Sequence, residues 1–146
     1  MHKLFILLFL LGTGIVLRAQ YAGYTQLKDL EKFKSELEFR LRKIHAGFQD
    51  LKQQGFAVDS ITPQAGIYLT IQLNLAGKKT SNNKILEKQS DVTAYILDEA
   101  GLAVVPFYAF GAPRNSNWYR LSVGTCKKEE IDEMFEKLKL ALEKLD

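Results

Sequence analysis

A long apolar stripe between Thr25 and Gln54 constrains the fold of this chain most. Apolar residues recur there at steps of three and four, which predicts one face of a helix about 45 Å long at 1.5 Å per residue. Thr25 is placed to cap the start of this helix and Gly55 to close its end. A helix with such a stripe needs an apolar layer to cover it. The stripe consists of Leu27, Leu30, Phe33, Leu37, Leu41, Ile44, Phe48 and Leu51.

The remaining faces of this helix carry many charged side chains, Arg40 and Arg42 among them, and we interpret those faces as solvated surface. His45 lies beside the stripe, and we assign it to packing or solvation. A coiled coil is an alternative interpretation of the stripe. It is disfavoured because the pattern lasts only about three and a half heptads and because strand patterns follow it.

The residues after the helix predict a small sheet. Residues 67–75 alternate between apolar and polar, as in a half-buried strand. Residues 102–110, LAVVPFYAF, are apolar and rich in strand formers, but Pro106 lacks an N–H, so this strand must lie at an edge, bulge or stop there. Residues 117–123 alternate again, and GFAVDSITP at 55–63 is a connection with room for a brief extended piece.

Two further helices complete the pattern. Ser90 and Asp91 are placed to open a short helix that Gly101 ends. The last helix is predicted to start at Thr125 or Cys126, with Glu129 as the acid of a capping box, and to run to the end of the chain. We therefore predict an α+β fold with a long N-terminal helix and a small three-stranded, mostly antiparallel sheet that has helices packed on one face. Its other face would present Tyr68, Thr70, Gln72, Trp118, Arg120 and Ser122.

Composition narrows the possible functions. The 146 residues fit one domain, and the formal net charge of +3 falls to +1 without residues 1–20, because that segment carries Lys3, Arg18 and no acid. No basic field for nucleic acid remains. One cysteine excludes an internal disulfide, and two distant histidines give no metal-ligand spacing.

Residues 1–20 have the order of parts of a secretory signal: a basic start, an apolar run from Leu4 to Leu17, and a small residue at Ala19. We expect cleavage just after Ala19, although Leu17 is larger than the residue preferred at its position. The alternative is that the segment is an accident of where the reading frame begins. Localisation is therefore open between export and the cytoplasm.

Arg120 lies in the middle of the strand NWYRLSVGT, and it has two interpretations. In the first, its stem covers Trp118 and its head reaches Asp98 or Glu99, a contact worth about 0–1 kcal/mol. In the second, the planar guanidinium offers two parallel N–H donors to the carboxylate of a ligand.

Three segments decide between these interpretations: ITPQAGIYLTIQL, DVTAYILDEAGLAVVPFYAFG and WYRLSVGT. In this order and spacing they resemble the C-terminal small domain of class I/II aminotransferases, pyridoxal-phosphate enzymes of the aspartate aminotransferase superfamily. The resemblance extends from about Leu30 to the end of the chain, and we assign residues 21–146 to that domain.

The resemblance implies that Arg120 binds the α-carboxylate of an amino-acid or 2-oxo-acid substrate. Gly66 matches the glycine at the small-domain lip of the pocket, and Phe110 matches the aromatic residue after VVP. Phe107 departs from the family pattern, because many relatives have glycine after that proline, and this leaves the shape of the lip open.

The resemblance also implies what is missing. The lysine that binds pyridoxal phosphate, the aspartate on the pyridine nitrogen and the phosphate cup lie in a large domain that precedes this one in relatives, and residues 1–65 do not resemble it. We therefore expect no cofactor and no transaminase turnover from this chain alone. We favour a truncated or rearranged remnant over a chain that pairs with a separately encoded large domain.

Two alternatives remain. The chain is either a part of an aminotransferase or an exported non-catalytic module that binds carboxylates or a protein through the open sheet face. The long helix could also dimerise through its stripe when no partner covers it.

Overall fold

The computed structural model describes residues 28–124 and 126–146 with their side chains, and residues 2–27 as helix backbone only. The helices are α1 (His2–Gln53), α2 (Gln89–Ala100) and α3 (Glu130–Glu143), and the strands are β1 (Val58–Ser60), β2 (Tyr68–Leu73), β3 (Val105–Pro106) and β4 (Trp118–Ser122). A 3₁₀ segment, Phe107–Phe110, follows β3. The chain divides into two units, Met1–Glu36 and Leu37–Asp146. The signal-like segment predicted at residues 1–20 lies outside the residues whose side chains are described.

The fold class is the predicted α+β, but the sheet has four strands instead of three. Its order is β1-β2-β4-β3, and every neighbouring pair is antiparallel. The additional strand, β1, is the extended piece of the 55–63 connection, and it pairs with β2 from Val58 to Ser60.

Alternation along β2 and β4 separates the two faces of the sheet as predicted. Leu69, Ile71 and Leu73 of β2 and Tyr119 and Leu121 of β4 are buried. They share one core with apolar residues of all three helices. The residues between them are half-buried or exposed, so the helices cover one face and leave the other open.

The C-terminal part of the α1 stripe is buried within this core: Leu37, Leu41, Ile44, Phe48 and Leu51. These residues are therefore not a coiled-coil seam. The predicted start at Thr25 is wrong, because the helix backbone continues N-terminal to it. The predicted end is confirmed, since Gly55 has φ 95° and its N–H donates to the Lys52 carbonyl at 3.0 Å.

The shorter helices differ from their predicted boundaries at the N-terminal ends. The carboxylate of Asp91 accepts hydrogen bonds from the N–H groups of Lys88 at 3.0 Å and Glu87 at 3.2 Å, which caps α2. Gly101 ends α2 with φ 67°, as predicted. Helix α3 begins at Glu130, and Glu129 makes no side-chain cap there, so the predicted capping box is wrong. Thr125 lies outside the described residues.

The predicted strand over residues 102–110 is mostly absent. Only Val105 and Pro106 pair with β4. After Pro106 the chain turns into the 3₁₀ segment, which Gly111 ends with φ 90°. Pro106 stops the strand, which is one of the three outcomes its missing N–H allowed.

Candidate carboxylate site on the open sheet face

Arg120 lies at the centre of the open face. In the register of the sheet it is paired with Thr70 of β2 on one side and Val105 of β3 on the other. Its side chain is half-buried. Strand alternation places it there, because Tyr119 and Leu121 on either side point into the core.

Two aromatic rings flank the guanidinium of Arg120. Its Cζ lies 4.2 Å from the ring centroid of Tyr68 and 4.1 Å from that of Phe110. Phe107 packs edge-on against Phe110 with the ring centroids 6.1 Å apart, which supports the second ring. At these distances the cation interacts favourably with the face of each ring.

Within residues 28–124 and 126–146, the side chain of Arg120 forms no hydrogen bond or ion pair. The ion pair between Arg120 and an acid of α2, expected in the first interpretation, is therefore not formed. Glu99 pairs with Lys144 at 2.6 Å instead. A carboxylate binds a guanidinium through the N–H groups in its plane. Among the described residues, no protein acceptor occupies the Arg120 donors that a carboxylate would use.

The structure brings Phe110 to Arg120 and places Gly66 at the start of the adjacent strand. Phe110 reaches the guanidinium because the 3₁₀ segment turns back beside β4. Gly66 precedes β2 and lies two residues before Tyr68. A Cβ at Gly66 would meet nothing within 4 Å, so its φ of 90°, and not space, favours glycine there.

Arg40 is a buried residue that sequence analysis assigned to the solvated surface. It is only 7% exposed. Its Nη1 donates to the carbonyls of Val123 at 3.3 Å, Gly124 at 2.9 Å and Cys126 at 3.1 Å. The guanidinium thus holds the end of β4 and the connection to α3. Nothing in the local pattern of α1 reveals this role, because its acceptors are more than eighty positions away.

A second polar cluster joins α1 to β1. His45 Nδ1 lies 2.7 Å from Ser60 Oγ, and Gln49 donates to Asp59 at 2.9 Å. Lys52 donates to the same carboxylate at 2.5 Å. The hydrogen bonds from Lys52 and then Gln49 lower the pKa of Asp59 to about 2. These contacts join the two elements at a distance from the open face.

Two grooves border α3, and Arg120 lines neither of them. One, of about 510 Å³, has Leu121, Cys126 and Met134 in its wall. The other, of about 520 Å³, lies between α1 and α3 beside Gly47 and Phe135. Burial raises the pKa of the Cys126 thiol, and Glu130 raises it further. A thiol with a raised pKa is a poor nucleophile.

The described residues do not fit a pyridoxal-phosphate site. A lysine that binds the cofactor covalently has to be desolvated or activated by a neighbour. Every lysine between residues 28 and 146 keeps part of its side chain in solvent. Carboxylates pair with several of them: Lys43, Lys52, Lys127, Lys137 and Lys144.

Neither a metal site nor a membrane-spanning helix is found in the part of the chain that the structure describes. No group of histidine, cysteine and acidic residues there could hold a metal ion. Among the same residues, no helix combines the length and the apolar character needed to cross a membrane.

The family match and the sequence relatives of this chain are both aminotransferases. The family described as aminotransferase class I and II matches residues 13–138. A probable aspartate/prephenate aminotransferase of Rickettsia felis is 36% identical over 72 residues, which is 49% of this chain and 17% of that protein.

Solved structures of aminotransferases share the fold of this chain. The aspartate aminotransferase of Rhizobium meliloti superposes with a TM-score of 0.65 at 27% identity, covering 80% of this chain and 26% of the other. An aromatic aminotransferase of Pyrococcus horikoshii has a TM-score of 0.62 at 20% identity, covering 80% of this chain and 27% of the other, a likeness of fold alone. This chain thus spans about a quarter of each solved relative. Since the family match extends over most of the sequence, the chain belongs to the class I and II aminotransferase family.

Proposed function

We propose that this chain forms the C-terminal small domain of a pyridoxal-phosphate-dependent amino-acid aminotransferase, and that Arg120 binds the α-carboxylate of the substrate. The observation that carries the proposal is the guanidinium of Arg120, flanked by two rings and without an acceptor among the described residues. It lies on the face of the sheet that the helices leave open.

The proposed contribution is binding and orientation. A rigid strand fixes the base of the arginine, and a bidentate pair with the carboxylate would set both the position and the direction of the substrate. Pyridoxal phosphate, in full-length members of the family, supplies the electron sink for the chemistry. Gly66 and Phe110 are proposed lip residues of the same pocket, because one starts the strand of Tyr68 and the other contacts Arg120.

The first experiment is a titration of the isotope-labelled chain with 2-oxoglutarate, followed by NMR at the Nε–Hε signals of arginine. Two charge-assisted hydrogen bonds contribute about 1.5–3 kcal/mol each before the cost of association. That range predicts a dissociation constant on the order of millimolar or weaker. We expect saturable shifts at Arg120 that the R120Q variant does not show.

Arg114 provides the matched control. It is an exposed arginine whose Cζ lies 5.4 Å above the ring of Tyr108, so it also combines a guanidinium with an aromatic ring. The R114Q variant should bind 2-oxoglutarate as the unmodified chain does. Equal, weak binding by the unmodified chain, R120Q and R114Q would contradict the assignment of Arg120.

We also propose that the chain by itself neither holds pyridoxal phosphate nor turns over amino acids. The solvent-exposed lysines of the described region support this. Incubation with the cofactor should give no stoichiometric absorption band of a lysine adduct. A stoichiometric band that disappears on replacement of one lysine would refute this proposal.

Exposed apolar residues on the open sheet face favour a second candidate function, the binding of a protein partner. Ile61 is 54% exposed and Val105 39%, and both border β2 or β4 beside Arg120. A large aminotransferase domain would cover them, as would the partner of an exported binding module. Mature protein that starts near Gln20 outside the cytoplasm would favour the exported module.

Self-association is a further proposal about partners. Leu30 is 65% exposed and Phe33 48%, so the part of α1 that carries them offers an apolar stripe. Light scattering at high protein concentration should detect a dimer, and a monomer throughout would refute it.

A further inference from the structure

Tyr68 is the part of this site that neither the family resemblance nor the strand pattern singles out. In the register it faces Ser122, while Thr70 faces Arg120, so Tyr68 is the diagonal neighbour of the arginine. Diagonal neighbours lie within reach of aromatic and long side chains. The ring of Tyr68 takes this position, with its centroid 4.2 Å from Cζ of Arg120.

The two rings come from different elements. Tyr68 belongs to β2, whereas Phe110 ends the 3₁₀ segment that follows β3. The guanidinium is therefore contacted by two parts of the chain that are far apart in sequence. Tyr68 itself is 45% exposed, so its ring is a wall of the site and not a member of the core.

The contact with Tyr68 affects ligand binding because arginine has a long side chain with many rotamers. Binding a ligand through a freely rotating side chain incurs the loss of its rotamer freedom at the moment of binding. A ring stacked on the guanidinium imposes much of that restriction beforehand. It also excludes water from the side of the cation that the ring contacts.

We propose that Tyr68 is a positioning residue of the carboxylate site, acting through its ring on Arg120. The inference rests on the proposed function of Arg120. It assigns the effect to the aromatic ring and not to the hydroxyl, because the ring makes the contact. The chemical class of the ligand is unchanged: the carboxylate of an amino acid or a 2-oxo acid.

The test compares Y68F and Y68L with the unmodified chain in the 2-oxoglutarate titration. Y68F keeps the ring and should bind within about twofold of the unmodified chain. Y68L removes the ring but keeps an apolar side chain, and we expect about fivefold weaker binding, the size of effect expected when one long side chain must lose its rotamer freedom on binding. Y108L is the matched control, because Tyr108 stacks on Arg114 and not on Arg120.

A spectroscopic readout separates positioning from a general loss of structure. The ring current of Tyr68 should shift the Nε–Hε signal of Arg120, and this shift should persist in Y68F and diminish in Y68L. The unfolding midpoint of Y68L should stay close to that of the unmodified chain because Tyr68 is not a core residue.

The outcomes distinguish the inference from the function on which it rests. If R120Q abolishes binding and Y68L does not weaken it, the role of Tyr68 is refuted and that of Arg120 stands. If Y68F binds as weakly as Y68L, the assignment to the ring is wrong. If the unmodified chain binds no better than R120Q, the proposed function fails, and the inference fails with it.

Discussion

Two arginines on α1, two positions apart, have opposite environments. Arg42 is exposed, whereas Arg40 is buried and donates to three carbonyls at the end of β4. A buried guanidinium is tolerated here because it is hydrogen-bonded. Its loss would leave carbonyls of the β4–α3 connection without a donor, which costs more than the net value of the bonds themselves.

The R40A variant should therefore lower the free energy of unfolding by about 3 kcal/mol. R42A, the matched change on the exposed face, should alter it by less than about 0.5 kcal/mol. Urea titration followed by the fluorescence of the single tryptophan, Trp118, measures both, because that residue lies on β4. R40K should fall between the two, and equal losses in R40A and R42A would show that the carbonyl contacts contribute nothing.

The environment of Arg120 could be predicted from the sequence and that of Arg40 could not, because the first depends on neighbouring residues and the second on residues far along the chain. The face on which Arg120 lies follows from alternation with Tyr119 and Leu121, which is a local rule. The partners of Arg40 are backbone carbonyls of a distant connection, and no side-chain pattern marks a carbonyl. The flanking of Arg120 by Tyr68 was equally hidden, because it depends on the register between β2 and β4.

The ionisation of Asp59 makes the free energy of unfolding depend on pH in the acid range. Its folded-state pKa of about 2 lies below the ordinary value of 3.8, chiefly because Lys52 donates to it. The unfolded chain therefore binds this proton more tightly than the folded chain does. The stabilisation is complete above the unfolded pKa and is lost as the pH falls towards about 2.

D59N should thus lower the free energy of unfolding at pH 7 by about 1 kcal/mol, a modest value because solvent screens the exposed Lys52. The difference from the unmodified chain should shrink as the pH falls from 3.8 towards about 2. Urea unfolding at a series of pH values tests this, with D98N, a change at an exposed position of α2, as the control. A difference that is constant across the series would contradict the role of the ionised carboxylate.

At the scale of elements, residues 102–110 show that the composition of a segment does not by itself predict the path of its backbone. An apolar run is compatible with a strand or a tight turn, and only Pro106 hinted at an interruption. The actual path, two strand residues and then a 3₁₀ segment, is what carries Phe110 to Arg120. A straight strand would have left that ring elsewhere, so the missed element is the one that completes the site.

The packing of α1 on α3 depends on a glycine. A Cβ added at Gly47 would lie 2.4 Å from the ring of Phe135, far inside contact distance. That ring packs edge-on against Phe48 with the centroids 5.4 Å apart. Gly47 therefore provides the space that lets the two helices approach at this point.

G47A should lower the free energy of unfolding by about 1 kcal/mol. Overpacking costs about 1–3 kcal/mol, and the better helix propensity of alanine returns about 1 kcal/mol. In the F135A background the clash is gone, so the same substitution should become stabilising by about 1 kcal/mol. Thermal and urea unfolding of the unmodified chain and the three variants of this cycle test the reversal of sign, and an unchanged sign would show that Phe135 does not limit this position.

At the scale of the whole molecule, the core and the open face belong to the unit Leu37–Asp146. The buried apolar residues begin at Leu37, and residues 28–35 are exposed. Stability of this unit therefore depends on the second half of α1, whose side chains complete the core beneath the sheet.

A variant that begins at Phe33 keeps one helical turn ahead of Leu37 and all of the described core. We expect it to unfold cooperatively, with a free energy of unfolding within about 0.5 kcal/mol of that of the 146-residue chain, because only exposed side chains are lost from the described part. A variant that begins at Lys43 also loses Leu37, Arg40 and Leu41, all of them buried. Removing two core side chains and the donor to the β4–α3 connection should abolish the cooperative transition. If both variants unfold alike, the second half of α1 is not the element that completes this unit.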